Sequence, residues 1–300
     1  MKVLVLAKVH PDGVTLLKKA GEVEVALNLS EAEIMEKIPG CDAVIVRSKP
    51  KITKGVIDAG KTLTVIGRAG VGLDNIDVAY AESKKITVVN TPDASTESVA
   101  EHVFALLLSK ARDIPRADHA LREGKWIKKE LRGTELKGKT LGVIGFGKIG
   151  SRLGEIAIAF GMNVLAYDVI DVSERAKEVG AEVTTMERVL EESDFITLHV
   201  PLLPSTCNLI SEQEIRKMKS NAVLINTARG GVIDETALFG ALTKKRIQAC
   251  LDVFETEPPT ESPLLTAENC VLTPHIAGST EEAQRRAGIQ IARKVIEALQ

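Results

Sequence analysis

The chain has 300 residues, 44% of them hydrophobic, and 39 basic against 41 acidic side chains give a formal net charge of −2. That is enough apolar material for two cores, and the lack of a basic excess argues against a nucleic-acid partner. The longest apolar run, Val103 to Leu108, is too short to span a bilayer, so no membrane partner is expected either.

From the amino end, MKVLVLAKV is strand-length, β-branched and closed by His10-Pro11 without a small-residue cleavage site, which predicts a first strand rather than a signal peptide. Eight further short runs follow: DAVIVRS, TVIGRAG, ITVVNTP, TLGVIGFG, NVLAYD, FITLHVP, AVLINTA and CVLTPHI. Near-continuous apolar strands separated by helical patterns predict parallel sheets covered on both faces, an α/β doubly wound class. Between Asp93 and Gly138 no strand is expected, and a long helix is, with Ser98 and Glu101 at capping-box spacing before the run Val99 to Leu108. This stretch reads as a seam between two sheets. Apolar residues of Leu106 to Leu108 left over after one face is buried would suit a second subunit. The charged stretch Arg112 to Arg132, broken by Pro115 and Gly124, reads as a surface crossover anchored by Trp126. Ser279 and Glu282 repeat the capping-box spacing and predict a helix running to the end of the chain. The four cysteines, Cys41, Cys207, Cys250 and Cys270, show no metal-ligand spacing, so no metal is expected and reduced thiols in a cytoplasmic protein fit best.

Two glycine turns look alike. In LGVIGFGKIG, Leu141 to Ile144 reads as a buried strand, Gly145 permits the tight turn, Gly147 lets a pyrophosphate approach the backbone, and Gly150 lets the next helix pack closely. A lone G-x-G-x-x-G is weak evidence, but the next strand, Asn163 to Tyr167, ends in Asp168, placed to take both ribose hydroxyls. Val169 and Ile170 follow with no arginine for a 2′-phosphate, which favours NAD over NADP. In RAGVGLDN, Gly70-Val71-Gly72 is expected to open a helix, with Asn75 where a third glycine would stand and no acid after the following strand. Backbone N–H groups there predict a site for a smaller anion such as a carboxylate. Arg68 and Arg47 lie at strand ends on the same sheet edge, and together suggest a doubly anionic guest.

Of the five histidines, His10 and His119 read as exposed, His102 as packed and hydrogen-bonded on the long helix, and His199 as close enough to approach a cofactor. His275 ends the last strand in front of a glycine turn and a capped helix, a good position for an acid and base. Glu257, in LDVFETEP, is a candidate orienting partner, although glutamates before prolines are common in surface loops. Arg229, in NTARGGVID, is placed either to bind a carboxylate in a bidentate manner or to pair with Asp234.

GFGKIG with Asp168, NTARGGVID, LDVFETEP and TPHIAGST, in this order and spacing, resemble the D-2-hydroxyacid dehydrogenases over nearly the whole chain. VRSKPKIT, GRAGVGLDNID, VVNTPDAST, RGTELKGKTLGVIG and PLLPSTCNLI are most similar to the branch of that family whose 2-hydroxy acid carries a phosphate. The resemblance implies a Rossmann-type NAD-binding domain, residues 94–276, inserted into a flavodoxin-like substrate domain, residues 1–93 and 277–300, with the active site in the cleft. It implies His275 as acid and base, Glu257 as its partner, and Arg229 as the group that binds the substrate carboxylate and polarises the carbonyl. For the cofactor it implies Gly145, Gly147, Lys148, Ile149, Gly150, Asp168, Pro201, Thr206, Thr227 and Ala228, with Asp252 holding the nicotinamide carboxamide. For the substrate it implies Arg47, Ser48, Arg68, Gly70, Val71, Gly72 and Asn90 besides Arg229 and His275. A homodimer, or an oligomer built from dimers, joined through the cofactor domain follows, with Lys128 reaching the partner's active site. Many relatives continue into a regulatory domain, and a chain ending at Gln300 leads to the expectation of a minimal catalytic core. An unphosphorylated glyoxylate or hydroxypyruvate substrate is the nearer alternative, and an NAD-responsive corepressor-like binding protein the remoter one. The run Ala277-Gly278-Ser279 after His275 lacks the glutamine expected for formate oxidation.

Overall fold

The computed structural model describes residues 1–300. The chain forms two compact units, one of Met1–Thr96 with Gly278–Gln300 and the other of Glu97–Ala277.

The first unit runs β1 (Lys2–Val5), α1 (Pro11–Ala20), β2 (Glu22–Val25), α2 (Glu31–Lys37), β3 (Ala43–Val46), α3 (Lys54–Ala59), β4 (Val65–Arg68), α4 (Val78–Ser83) and β5 (Thr87–Asn90). Its sheet is parallel in the order β2-β1-β3-β4-β5, the flavodoxin-like arrangement. Alternation along the strands fills both faces. Leu4, Val44 and Ile66 pack with Ile34 and Ile38 on one face, whereas Val3, Val5, Ile45 and Val65 meet Leu17 and the C-terminal helix Glu281–Ala298 through Ile291 and Val295 on the other. That helix crosses α1 closely enough that a Cβ on Gly13 would stand 2.2 Å from the Gly288 carbonyl oxygen.

The second unit runs α5 (Thr96–Ala111), α6 (Ile114–Arg122), β6 (Thr140–Ile144), α7 (Lys148–Ala159), β7 (Asn163–Tyr167), α8 (Ser173–Val179), β8 (Glu182–Val183), α9 (Met186–Glu192), β9 (Phe195–Leu198), α10 (Glu212–Lys217), β10 (Val223–Asn226), α11 (Glu235–Thr243), β11 (Gln248–Leu251) and β12 (Cys270–Leu272). Its strands are again parallel, in the order β12-β11-β10-β9-β6-β7-β8. The order reverses at β6, with β7 on one side and β9 on the other, which is the Rossmann-type switch point. Val103, Phe104 and Leu107 of α5 join Leu141, Val143 and Ile225 on one face, and Ile144, Ile196, Leu224 and Leu251 fill the other.

The structure departs from the sequence reading at several points. Three strands escape it: the edge strand β2 with alternating EVEV, the two-residue β8, and β11 with QACL, which lacks any β-branched residue. Ser98 is not a cap. A turn closed by the Thr96 N–H on the Asp93 carbonyl (3.4 Å) runs straight into α5, so Ser98 lies buried inside its first turn. The last helix is capped by Thr280, whose hydroxyl accepts the Ala283 N–H at 3.1 Å, one residue beyond Ser279. Leu106 and Leu107 are buried, leaving only Leu108 of that trio exposed. Trp126 anchors nothing within the chain and is 80% exposed. The RAGVGLDN turn does not open a helix: the Asn75 amide donates to the carbonyls of Arg47 (2.9 Å) and Pro50 (2.8 Å), tying two loops together, and α4 starts only after Asp77. All four cysteines are free, and no helix is long and apolar enough to cross a membrane.

Candidate active site

Three parallel strands of the second unit end side by side, with Asn226 opposite Leu251 and Leu251 opposite Leu272. Just past those ends stand Thr227 to Arg229, Asp252 to Glu257, and Thr273 to His275. Fully buried Asp252 organises the group. Its carboxylate accepts the Thr273 hydroxyl at 2.6 Å and the N–H groups of Ile276 and Ala277, both at 2.8 Å, while its carbonyl accepts the His275 N–H at 2.8 Å. Burial alone would raise the Asp252 pKa, but His102, Thr273 and the two amides hold it below the ordinary carboxylate value. Expected from the resemblance to hold a carboxamide, Asp252 lies beneath the His275 loop.

His275 and Glu257 meet directly. The imidazole Nδ1 lies 2.8 Å from Oε2 and 3.0 Å from Oε1 of Glu257, and the Phe254 N–H donates to Oε1 at 3.3 Å. Nδ1 is thereby occupied and Nε2 is left for another partner. His275 adopts φ +53°, in the left-handed region, where a residue other than glycine stays only if its surroundings impose it. Arg229 sits on a turn shaped by Asn226, which is 1% exposed: the Asn226 amide donates to the Arg229 carbonyl at 2.8 Å and its oxygen accepts the Ala228 N–H at 3.0 Å. The Arg229 guanidinium donates to the Ala228 carbonyl at 2.6 Å, and Asp234 caps α11 through the Ala237 N–H at 2.9 Å.

The LGVIGFGKIG turn fits a dinucleotide. Gly145 has φ +93°, and a Cβ there would lie 2.5 Å from the His199 carbonyl oxygen, while one on Gly150 would lie 2.4 Å from that of Gly145. Gly147 differs: nothing stands within 4 Å of its Cβ position, so there is room for a phosphate at the start of α7. Lys148 and Ile149 follow in its first turn. Asp168 ends β7, and its carboxylate accepts the Phe146 N–H at 2.8 Å and the Ile170 N–H at 3.3 Å. The hydroxyl of Thr206 binds the Pro201 carbonyl at 2.6 Å and accepts the Leu203 N–H at 2.8 Å, which folds the loop between β9 and α10. Thr227 is buried with its hydroxyl lacking a partner, a polar atom left over beside the strand ends. His199 forms a wall of the glycine turn. Its part-buried ring bonds the Thr197 hydroxyl at 2.7 Å, and burial pushes its pKa down to about 3.

In the first unit, Arg68 pairs in register with Val46 and Asn90, so Arg47, Arg68 and Asn90 reach the same carboxyl edge of the sheet. Gly70 has φ +153°, and a Cβ there would lie 2.5 Å from the Arg68 guanidinium. The Asn90 amide donates to the Val71 carbonyl at 2.6 Å, which holds the turn through Gly72 against β5. Ser48 and Lys128 are exposed. Sequence reasoning missed several of the residues described here. Asn226 looked like an ordinary strand residue, and Lys294 donates to the Asn90 carbonyl at 2.8 Å from a distant helix. Arg175, seven residues past Asp168, donates to the Phe146 carbonyl at 3.0 Å, so an arginine does stand at the dinucleotide turn.

Residues 104–277 match the family of D-isomer specific 2-hydroxyacid dehydrogenases, over its NAD-binding domain. D-3-phosphoglycerate dehydrogenase of Methanocaldococcus jannaschii is 49% identical over 301 residues, covering 100% of this chain and 57% of that protein. Hydroxypyruvate reductase of Thermotoga maritima is 48% identical over 289 residues, covering 95% of this chain and 94% of that protein. The chain thus spans little more than half the length of the first relative and nearly all of the second. Among solved structures, D-lactate dehydrogenase of Aquifex aeolicus complexed with NAD and lactic acid superposes with a TM-score of 0.85 at 33% identity, over 98% of this chain and 94% of that one.

Proposed function

Because the chain belongs to the D-isomer specific 2-hydroxyacid dehydrogenase family, we propose that it oxidises D-3-phosphoglycerate to 3-phosphohydroxypyruvate, the opening step of the phosphorylated route to serine. The observation that carries this reading is the His275–Glu257 pair at 2.8 Å, on the strand edge that also bears Arg229. Residues 94–276 take the NAD-binding role, and residues 1–93 with 277–300 the substrate-binding role. NAD, when bound, accepts the C2 hydride. The backbone from Gly145 to Gly150 receives its pyrophosphate and Asp168 its ribose hydroxyls.

His275 Nε2 takes the proton of the C2 hydroxyl, and Glu257, bonded to Nδ1, fixes the ring and offsets the positive charge that develops there. Arg229 receives the substrate carboxylate and stabilises the partial negative charge on the C2 oxygen. The N–H groups of Gly70 to Gly72 contribute to carboxylate binding, and Arg47 and Arg68 meet the phosphate. In the reverse direction His275 returns the proton. The same reading gives a cytoplasmic homodimer joined through residues 94–276, with Lys128 of each chain at the other's substrate.

Reduction of hydroxypyruvate or glyoxylate is the second reading, favoured by the relative whose whole length this chain nearly covers. An NAD-linked steady-state assay with D-3-phosphoglycerate and D-glycerate decides between them. A kcat/KM at least about 10-fold higher for the phosphorylated acid is expected from the two guanidinium groups. Equal efficiencies would discard the phosphate site.

A further inference from the structure

We propose that His102 is a positioning residue for the acid–base pair, acting through Thr273 and Asp252 on the backbone that carries His275; this rests on the role given to His275 above. The Asp252 carboxylate grips the chain on both sides of His275, at the Thr273 hydroxyl before it and the Ile276 and Ala277 amides after it. These bonds impose the left-handed φ of +53° on His275 and so aim its ring.

Proton counting fixes the direction of the next contact. Asp252, held ionised by its donors, can only accept. The single Thr273 hydroxyl proton is therefore used on Asp252 Oδ1, 2.6 Å away. Thr273 Oγ1 must then accept from its other neighbour, the His102 Nε2 at 3.1 Å, so His102 carries a proton on Nε2. The same nitrogen lies 3.5 Å from Asp252 Oδ1. His102 stands in the middle of α5, beside Val103, Phe104 and Leu107, all buried in the core, so the relay ends on a fixed support. A buried carboxylate with one donor removed loses a constraint on its orientation, and the loop it holds can drift.

The test uses the full chain with His102→Leu, His102→Gln, Thr273→Val and Thr273→Ser, and His275→Gln as the control. D-3-phosphoglycerate with NAD, and in parallel hydroxypyruvate with NADH, provide the rates; NADH fluorescence and thermal midpoints are recorded for every variant. His102→Leu and Thr273→Val should lower kcat about 10- to 100-fold, the effect of a small misplacement at the reacting centre, with KM values and NADH affinity changed less than about 2-fold. His102→Gln, whose amide can still donate, and Thr273→Ser, which keeps the hydroxyl, should recover most of the rate. If His102→Leu does not fold, the comparison of Thr273→Val with Thr273→Ser and the rate of His102→Gln decide. Parental kcat in His102→Leu and Thr273→Val, or losses that Gln and Ser leave unrepaired, would overturn the proposal. If His275→Gln itself turns over at the parental rate, the reading of His275 fails and this inference with it; if it is inactive while the other variants keep their kcat, only the positioning role is lost.

Discussion

Gly230 and Phe254 touch backbone to backbone: a Cβ on Gly230 would lie 1.9 Å from the Phe254 carbonyl oxygen. Through this contact the turn bearing Arg229 lies against the loop that runs on to Glu257. Gly230→Ala cannot be absorbed by a side-chain rotation, because the obstructing atom belongs to the main chain. It should cost about 1–3 kcal/mol of stability, the usual penalty for overpacking, and lower kcat more than it lowers the thermal midpoint would suggest. Urea unfolding beside steady-state kinetics checks both, and a variant with parental kcat would show that the two loops move independently.

His275→Gln and Glu257→Gln should each reduce turnover by about 100- to 10,000-fold, the range for a lost general acid or its orienting group. Neither residue belongs to the dinucleotide turn, so NADH affinity measured by fluorescence titration should change less than about 3-fold. A rate loss that tracks lost NADH binding would contradict the assignment.

Arg47→Ala and Arg68→Ala separate the phosphate from the rest of the substrate. Each should lower kcat/KM for D-3-phosphoglycerate by about 10- to 100-fold, the worth of one charge-assisted hydrogen bond, and leave D-glycerate oxidation nearly unaffected. Parallel losses on both acids would assign the arginines to the carboxylate or to the fold instead.

Asp168→Ala should lower kcat/KM for NAD by about 10- to 100-fold through the loss of its hydrogen bonds to the ribose. With Arg175 donating to the Phe146 carbonyl at 3.0 Å, a guanidinium is already at hand for a 2′-phosphate once the acid is gone. The NADP-to-NAD ratio should therefore rise, and should fall back in Asp168→Ala/Arg175→Ala. An unchanged ratio in the single variant would remove Asp168 from cofactor choice.

Burial lowers the His199 pKa from 6.5 to about 3. The unfolded chain therefore binds a proton that the folded chain refuses between those values, so stability rises with pH across the window: it is complete above about 6.5 and lost progressively as the pH falls toward 3. In mid-window a fully titrating group changes stability by about 1.4 kcal/mol per pH unit. His199→Gln should flatten the dependence of the urea midpoint between pH 7 and 5. Equal slopes in parent and variant would place the acid sensitivity elsewhere.

Much of this architecture is legible in the sequence because local chemistry leaves a local mark. LGVI followed by three spaced glycines announces a buried strand and a turn, and the structure shows why glycine is needed at 145 and 150: carbonyl oxygens occupy the Cβ positions. His275 could be singled out as a strand-end histidine, and Glu257 as a candidate beside it. The residues that aim them were not legible. Asp252 works through amides 24 and 25 residues away, His102 through a hydroxyl 171 residues away, and nothing near either residue announces its partner. The RAGVGLDN turn misled for a related reason. Its asparagine mimics a departure from a glycine pattern, but its side chain is committed to two carbonyls from another loop, a tertiary contact that local propensity does not register. β11 escaped because neighbouring strands, not β-branched residues, keep QACL extended.

The C-terminal helix covers one face of the sheet begun by Lys2–Val5. During synthesis, the first unit therefore exposes the apolar edges of Val3, Val5, Ile45 and Val65 until residues 281–298 have left the ribosome. Glu97–Ala277 has all its strands by residue 272 and can close first. Of the two sheets, the one whose strands come first in the chain is thus completed only by a segment that follows all strands of the other.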